Sequence, residues 1–477
     1  MNKAGKVWDL GKYGSNICLT GEKGDEYTYS DVQDIASDIA GSIGNRVLLF
    51  QLCRNVPESI IGYIAFLNHG IVPAMLTDQT DRSLLKRLVE SYGPSYFWAP
   101  EDLKDMVEEL GYENVSGFGS YALFSSGKVT PCPLSEDLAL LLTTSGSTGS
   151  PKFVRQTYRN IISNTDAITE YLEITEEERP ITTLPMNYTY GLSIINSHLM
   201  KGAEILVTEK SIMQKEFWEF FRSKEATSFG GVPYTYEMLD KLRFYRMELP
   251  SLRTMTQAGG KLNVELHEKV ARFALDTGRR FYVMYGQCEA TARMGYLPYA
   301  RSLEKKGSMG IAIPGGKFSL LDEEGREITS PGVTGELIYE GENVTPGYSE
   351  CADDLILGDE RSGRLETGDM AYFDEEGFYY ISGRKKRFLK IYGNRVNLDE
   401  TERLIKDRFG IMVACAGKDD HMFIFLTEED MKDKVRDYVI EMTKINQKAF
   451  TSVILQEIPM TSSGKIKYAG LERYYDI

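Results

Sequence analysis

The chain is predicted to be an α/β protein, and three observations predict it. Strand and helix patterns alternate through its first third. Of its 477 residues, 42% are hydrophobic, and from about Lys317 the texture changes to short alternating runs punctuated by Gly and Pro. Alternating strands and helices build parallel-rich sheets covered by helices. A chain this long makes two to four domains or subdomains. The expected organisation is a large N-terminal domain, 1–383, that ends in a β-rich subdomain, and a small α+β domain, 384–477.

Taken in order, "TYSDVQDIASDIAGSIG" places Val32, Ile35, Ala36, Ile39 and Ala40 on one helical face, with Ser30 as the N-cap. "NRVLLFQLC" is a buried strand. "VPESIIGYIAFLNHG" starts near Pro57 and stops at Gly70, as a helix does. "VPAML", "DRSLLKRLVESYG" and "PSYFWAP" continue as strand, helix, strand, and "TTLPM", "YGLSIINSHLMKG" and "AEILVTE" repeat that order. "FYVMYG" is a strand running into a turn. "KFSLLDEEGREITSPGVTGELIYEG" reads as antiparallel β. The tail reads as helix in "ETERLIKDRFG", strand in "MFIFLTE" and helix in "MKDKVRDYVIEMTKI".

Several classes of function are disfavoured. A net charge of −15 argues against general binding of nucleic acid or anionic membrane. The six cysteines form no C-x-x-C pair and the four histidines no H-E-x-x-H, so neither a zinc site nor a disulfide framework is expected. The most apolar stretch is interrupted by Asn68, His69 and Gly70, and "MNKAGKVWDLGKYG" has no apolar signal core. A soluble, cytoplasmic protein with reduced thiols is expected.

The stretch richest in chemistry is "TTSGSTGSPK", Thr143–Lys152. Glycines let backbone N–H groups approach an anion, hydroxyls add donors, and Lys152 adds a compact cation. The Walker spacing does not fit, because Pro151 precedes Lys152 and Phe153 follows it. Its place after the strand "LALLLTT" is where α/β sheets bind ligands. On its residues alone it reads equally as a phosphate loop or as a flexible Ser/Gly linker.

Three further stretches follow in order: "MYGQCEATA" at 284–292, "ETGDMAYFDEEGFYYISGRKKRFLKIYGNRVNLDE" at 366–400 and "PMTSSGKIKY" at 459–468. Together with "GSMGIAIPG" at 307–315, the set resembles the adenylate-forming superfamily of acyl-CoA synthetases, peptide-synthetase adenylation domains and luciferases. The resemblance covers essentially the whole chain. It implies an active site between a large domain and a small mobile lid. It also implies an AMP-forming acid–thiol ligase: a carboxylate attacks the α-phosphate of ATP, pyrophosphate leaves, and the acyl group passes to a phosphopantetheine thiol.

The same resemblance implies roles by position. Thr144, Ser145, Gly146, Ser147, Thr148, Gly149 and Lys152 would handle the β- and γ-phosphates, and Glu289 would hold Mg2+, which prefers hard oxygen ligands. Tyr285 would stack on adenine, with Gly259, Gly260 and Gly286 admitting backbone close to the base and acyl group. Asp369 would accept from the ribose hydroxyls beside Arg384. Lys465 would bridge the attacking carboxylate and the α-phosphate, Lys386 would be the hinge, and Gly393 would line the thiol tunnel. Each residue type also has a plain reading: a solvated loop glutamate, a core tyrosine, a turn carboxylate, a surface base. The basic run Arg384, Lys385, Lys386, Arg387, Lys390 reads equally as a solvated face or a docking patch. Cys288 departs from the family's Thr or Ser, and a thiol is the poorer donor to an α-phosphate.

"LPMNYTYGLSIIN" aligns with the family's acyl-pocket segment, with Tyr188, Tyr190, Gly191 and Asn196 as pocket candidates. Amino-acid-activating relatives carry an aspartate where this chain has Gly191, and a buried ammonium without a counter-ion is costly. A non-amino carboxylic acid is therefore expected, with coenzyme A or a free acyl carrier protein as acceptor. An amino-acid-activating, carrier-loading ligase is the alternative within the family. A non-catalytic nucleotide-binding module is the alternative outside it.

Overall fold

The structure, a computed structural model, describes residues 6–127, 133–143, 152–385, 387–392, 394–460 and 466–475. The chain divides into two compact units. One holds the described chain up to Lys317 together with Tyr339–Leu365; the other holds Phe318–Ile338 and the chain from Glu366. The expected 383/384 boundary falls inside the second unit. There Arg364–Phe373 and Tyr379–Arg384 pair as antiparallel strands and join the β-rich segment to the C-terminal residues.

The first unit is built on two large sheets. One has eight strands, ordered Gly347–Ser349, Phe153–Thr157, Leu138–Thr143, Val72–Thr77, Leu48–Cys53, Tyr96–Pro100, Tyr121–Ser125, Glu113–Phe118. Its middle four are mutually parallel, and the outer strands add antiparallel on both sides. The strand Leu48–Cys53 is buried throughout. It sends Leu48, Phe50 and Leu52 into one core and Leu49 into the other, the two-residue period of a strand covered on both faces. The second sheet begins with three parallel strands, Ser228–Gly231, Thr254–Gln257 and Arg280–Tyr285, and adds Gly295–Leu297 and Ile311–Ala312 antiparallel.

Two local expectations are corrected. Thr28, not Ser30, caps the helix Tyr29–Gly41: its hydroxyl accepts from Asp31 N and the Asp31 carboxylate accepts from Thr28 N, a reciprocal box that starts the helix earlier. "TTLPM" is not a strand. Only single bridges form ahead of it, at Pro180–Ser228 and Ile181–Leu206, and Pro185 has no N–H to offer a ladder.

In the second unit a four-stranded sheet runs in the order Lys317–Leu321, Gly335–Glu340, Arg364–Phe373, Tyr379–Arg384. The C-terminal part packs the helices Leu398–Phe409 and Lys432–Thr443 on the sheet Ala414–Lys418, His421–Leu426, Phe450–Ile454; the tail pattern predicts both helices and the middle strand, and the two outer strands are additional. Among the described residues no helix is long and apolar enough to cross a membrane.

Arg155 fastens the edge of the eight-stranded sheet. Its side chain is 1% exposed. Nε donates to the Tyr348 carbonyl at 2.9 Å, Nη1 to the Leu357 carbonyl at 2.5 Å and Nη2 to Glu360 Oε2 at 2.5 Å. Arg155→Ala is expected to cost about 2–4 kcal/mol, because the charge-assisted bonds of a buried guanidinium are lost and its space is left unfilled. Trp8, Trp98 and Trp218 all belong to this unit, so the denaturant midpoint of tryptophan fluorescence measures it. An unchanged midpoint would show that water replaces these contacts at no cost.

Candidate active site

The three parallel strands of the second sheet are aligned Gly231–Gln257–Val283. Their carboxyl ends therefore lie together, and here the chain carries six of the predicted site residues: Gly259 and Gly260, then Tyr285 at the last strand position, Gly286, Cys288 and Glu289. Gly259 has φ +83°, and a Cβ there would lie 2.5 Å from Tyr188 Oη, which places that tyrosine at the strand ends. Gly286 is needed for close approach: a Cβ would fall 1.7 Å from the Ala292 carbonyl oxygen. Gln287 Nε2 donates to Tyr285 Oη at 3.2 Å.

Glu289 follows on a short 3-10 turn, Cys288–Ala290. Tyr348 Oη donates to Glu289 Oε1 at 2.7 Å. Burial, and next the carboxylate, push the Tyr348 hydroxyl well above the ordinary phenol range, so it stays a donor. Thr345 N donates to the Glu289 carbonyl at 2.9 Å, and Arg361 lies over the Tyr348 ring at 4.8 Å while donating to Thr345 Oγ1 at 2.6 Å. One carboxylate oxygen is thus positioned, and no described residue donates to the other. That donor set fits a hard cation that arrives with phosphate oxygens of its own. Cys288 Sγ lies 2.6 Å from Thr189 Oγ1, so a hydroxyl stands beside the thiol.

Lys152 lies just before the strand Phe153–Thr157, and Thr143 pairs with Phe153. Thr144, Ser145, Gly146, Ser147, Thr148 and Gly149 lie outside the described residues, as do Lys386, Gly393 and Lys465. Lys152 Nζ contacts Glu350 Oε1 at 2.5 Å. The pair is substantially exposed, so it is weak and exchangeable.

In the second unit Asp369 and Arg384 face each other across two paired strands, and Arg384 Nε sits 2.7 Å from Asp369 Oδ1. The carboxylate is 4% exposed and the guanidinium 53%. The backbone is fixed as well: Asp369 N donates to Thr367 Oγ1 at 3.1 Å and Arg384 N to Asp399 Oδ2 at 2.9 Å. On either side of the Lys465 segment the chain is pinned. Met460 bridges Ile466, Tyr468 Oη donates to Glu402 Oε2 at 2.9 Å, and Arg387 lies 3.6 Å from the Tyr468 ring centroid.

The acyl-pocket candidates separate. Tyr190 is buried, bonds Thr256 Oγ1 at 2.7 Å, and burial pushes its hydroxyl up to about 12. It lies on the face of the helix Thr189–Lys201 that meets the second sheet. Asn196 lies on the opposite face. Its Oδ1 accepts from Tyr63 Oη at 3.1 Å and its carbonyl from Trp8 Nε1 at 3.3 Å, so it joins helices in the core. Gly191 faces no cavity, since a Cβ would meet the Pro185 carbonyl oxygen at 2.4 Å. Sequence reasoning missed Tyr348, Glu350, Arg361 and Arg293.

Residues 8–349 match the family AMP-binding, described as "AMP-binding enzyme". The long-chain-fatty-acid–CoA ligase of Bacillus subtilis is 30% identical over 291 residues, 60% of this chain and 50% of that protein, so the matched stretch spans half of that relative. The 2-succinylbenzoate–CoA ligase of Listeria monocytogenes serovar 1/2a is 24% identical over 466 residues, 93% of this chain and 94% of that protein. The fold matches that of an o-succinylbenzoate coenzyme A synthetase from Bacillus subtilis in complex with AMP, with TM-score 0.78, 21% identity and 96% of each chain covered.

The glycines at the strand ends should respond differently to a methyl group. Gly286→Ala is expected to cost about 2–3 kcal/mol or more, since the Cβ meets backbone. Gly260→Ala meets only the Pro233 ring at 3.1 Å and should cost well under about 1 kcal/mol. Parallel melting curves check the pair, and equal shifts would mean that the 286–292 turn yields freely.

Proposed function

This chain belongs to the AMP-binding enzyme family. From that premise we propose that it activates a carboxylic acid with ATP, forms an acyl-adenylate and pyrophosphate, and passes the acyl group to the phosphopantetheine thiol of coenzyme A. The observation that carries the reading is the Asp369–Arg384 pair. A buried carboxylate oriented by an arginine at its rim is an acceptor suited to adjacent ribose hydroxyls. Coenzyme A is preferred to a carrier protein because the relatives are named as CoA ligases.

In the first step the acid's carboxylate oxygen bonds to the α-phosphorus and the bond to pyrophosphate breaks. Two anions meet, so the protein's part is to place donors and cations where charge develops. Lys152 and the 144–149 loop take the departing phosphates, and Lys152 exchanges Glu350 for a phosphate oxygen to do so. Magnesium neutralises phosphate charge when bound with ATP, and Glu289, aimed by Tyr348, would hold it. Thr189 supplies the hydroxyl that Cys288 lacks. Lys465 brings a cation to the carboxylate and α-phosphate. In the second step the thiol, losing its proton, attacks the acyl carbon and AMP leaves. For this the segment 384–477 turns at Lys386, withdraws Lys465 and brings Gly393 to the thiol's path.

The acid carries no α-ammonium. Gly191 packs against backbone and decides nothing, but Arg293 is buried beside Ser193 and Tyr190, and its positive charge opposes an ammonium there. An enzyme of this kind acts in the cytoplasm, where its thiols stay reduced.

ATP–pyrophosphate exchange with a panel of acids tests the reading, and exchange with no acid would overturn it. Acids should outperform their α-amino analogues at least tenfold; a preference for the amino acid would move the chain to the carrier-loading branch. Lys465→Ala should lower adenylation by about 10²–10³-fold while sparing thioester formation from supplied acyl-adenylate. Equal loss in both half-reactions would refute the domain alternation.

A further inference from the structure

Arg293 is a buried cation with no anion. It is 2% exposed. Nε donates to Ser193 Oγ at 3.1 Å, and Nη1 to Tyr171 Oη at 3.0 Å with Met284 Sδ at 3.3 Å. The guanidinium carbon lies 5.2 Å from the Tyr190 ring centroid. All of these partners are neutral. Among the described residues no carboxylate comes within ion-pair distance of Arg293 and none accepts from Nη2. Neutral hydrogen bonds satisfy donors without cancelling a charge, and an uncompensated buried charge is among the costliest features a fold can carry.

Arg293 borders a cavity of about 20 Å3 between the helix Thr189–Lys201 and the second sheet, where it meets Ile194, His198, Gly230 and Thr254. That is room for about one water-sized group. The lining is polar in a particular way. Thr254 Oγ1 is buried without a partner. His198 Nδ1 lies 2.8 Å from the Ile194 carbonyl, which fixes the proton on that nitrogen, and burial lowers the imidazole to about 4, so the ring is neutral. Glu178, the other charged group at the cavity, is engaged elsewhere: its Oε2 accepts from Thr227 Oγ1 at 2.5 Å, and its Oε1 lies 3.7 Å from Arg280 Nη2 and 4.0 Å from Arg253 Nη1. The cavity therefore presents a positive end and a hydroxyl to a group that reaches it.

Resting on the adenylation reading above, we propose that Arg293 is a specificity-determining residue that receives a second carboxylate on the substrate, so that the acid activated is a short dicarboxylic acid. One carboxylate reacts with ATP; the other replaces water at Nη2 and gives the guanidinium its counter-ion. A water molecule could fill the cavity and satisfy Nη2, but it would leave the charge unmatched. A long aliphatic acid would press methylene groups against the guanidinium.

The test uses the wild-type protein with short dicarboxylic acids of graded length, each beside its monomethyl ester, in ATP–pyrophosphate exchange. The best diacid should exceed its ester by about 10- to 100-fold in kcat/KM, the range for a hydrogen-bonded charged group. In melting curves without ATP that diacid should also stabilise the protein more than its ester does. Arg293→Gln should bring diacid and ester to within about threefold, and Arg293→Lys should restore part of the preference. The proposal is overturned if esters or simple monoacids of equal length match the diacids in the wild type, a comparison that needs no variant; adenylation itself then stands. It is overturned too if Arg293→Gln folds and keeps the full preference. Exchange with no acid at all would overturn both this proposal and the adenylation reading.

Discussion

The hydrogen-bond register of three parallel strands is the constraint on which the first unit's site depends. With Gly231, Gln257 and Val283 at one level, the chain leaves the sheet at three neighbouring points of equal height. Gly259, Gly286 and Glu289 are each a few residues downstream of such an exit, so they converge although the sequence scatters them. The turn at Gly286 is tight enough that backbone passes where a side chain would be. Precision here comes from main chain, which the sheet holds rigidly, and side chains add the finishing contacts.

The elements legible in the sequence were those whose signal is local. Periodicity and caps located the helices at 57–68, 82–92 and 189–201, and buried runs located the strands between them. The Asp369–Arg384 pair was legible as motif, and the antiparallel hairpin explains why two motifs meet. What could not be read is what depends on distant partners. Tyr348 reaches Glu289 across 59 positions, and no spacing rule links them. Arg293 lies one residue beyond the motif that identifies Glu289, yet its meaning depends on burial, which sequence does not display. Asn196 could have been sorted by helical phase: six residues after Tyr190 is roughly one and two-thirds turns, which is the far side of the helix.

The second unit solves a different problem. Its C-terminal segment is fastened to the rest of the unit on both sides of residues 461–465. Arg387, Glu402 and Tyr468 form a compact, mostly buried cluster: Arg387 Nη2 donates to Glu402 Oε1 at 2.7 Å, and Glu402 also accepts from Cys415 N at 2.6 Å. Three charges and a phenol share one site, with Asp399 Oδ1 2.9 Å from Arg387 Nε as a second carboxylate on the guanidinium. The helix Leu398–Phe409, the strand Ala414–Lys418 and the C-terminal 3-10 helix are thereby joined at one point.

The three-residue strand Gly347–Ser349 carries more than its length suggests. Tyr348 within it aims Glu289, Glu350 immediately after it pairs with Lys152, and Arg155 opposite locks it in place. Glu289 and Lys152 are therefore both indexed to a single edge ladder. A slip of one residue along that ladder would turn Tyr348 to the other face and carry Glu350 away from Lys152 at the same moment. The strand works as a common datum, so insertions or deletions between residues 344 and 350 should be poorly tolerated, beyond what the burial of Val344, Thr345 and Ser349 alone would demand.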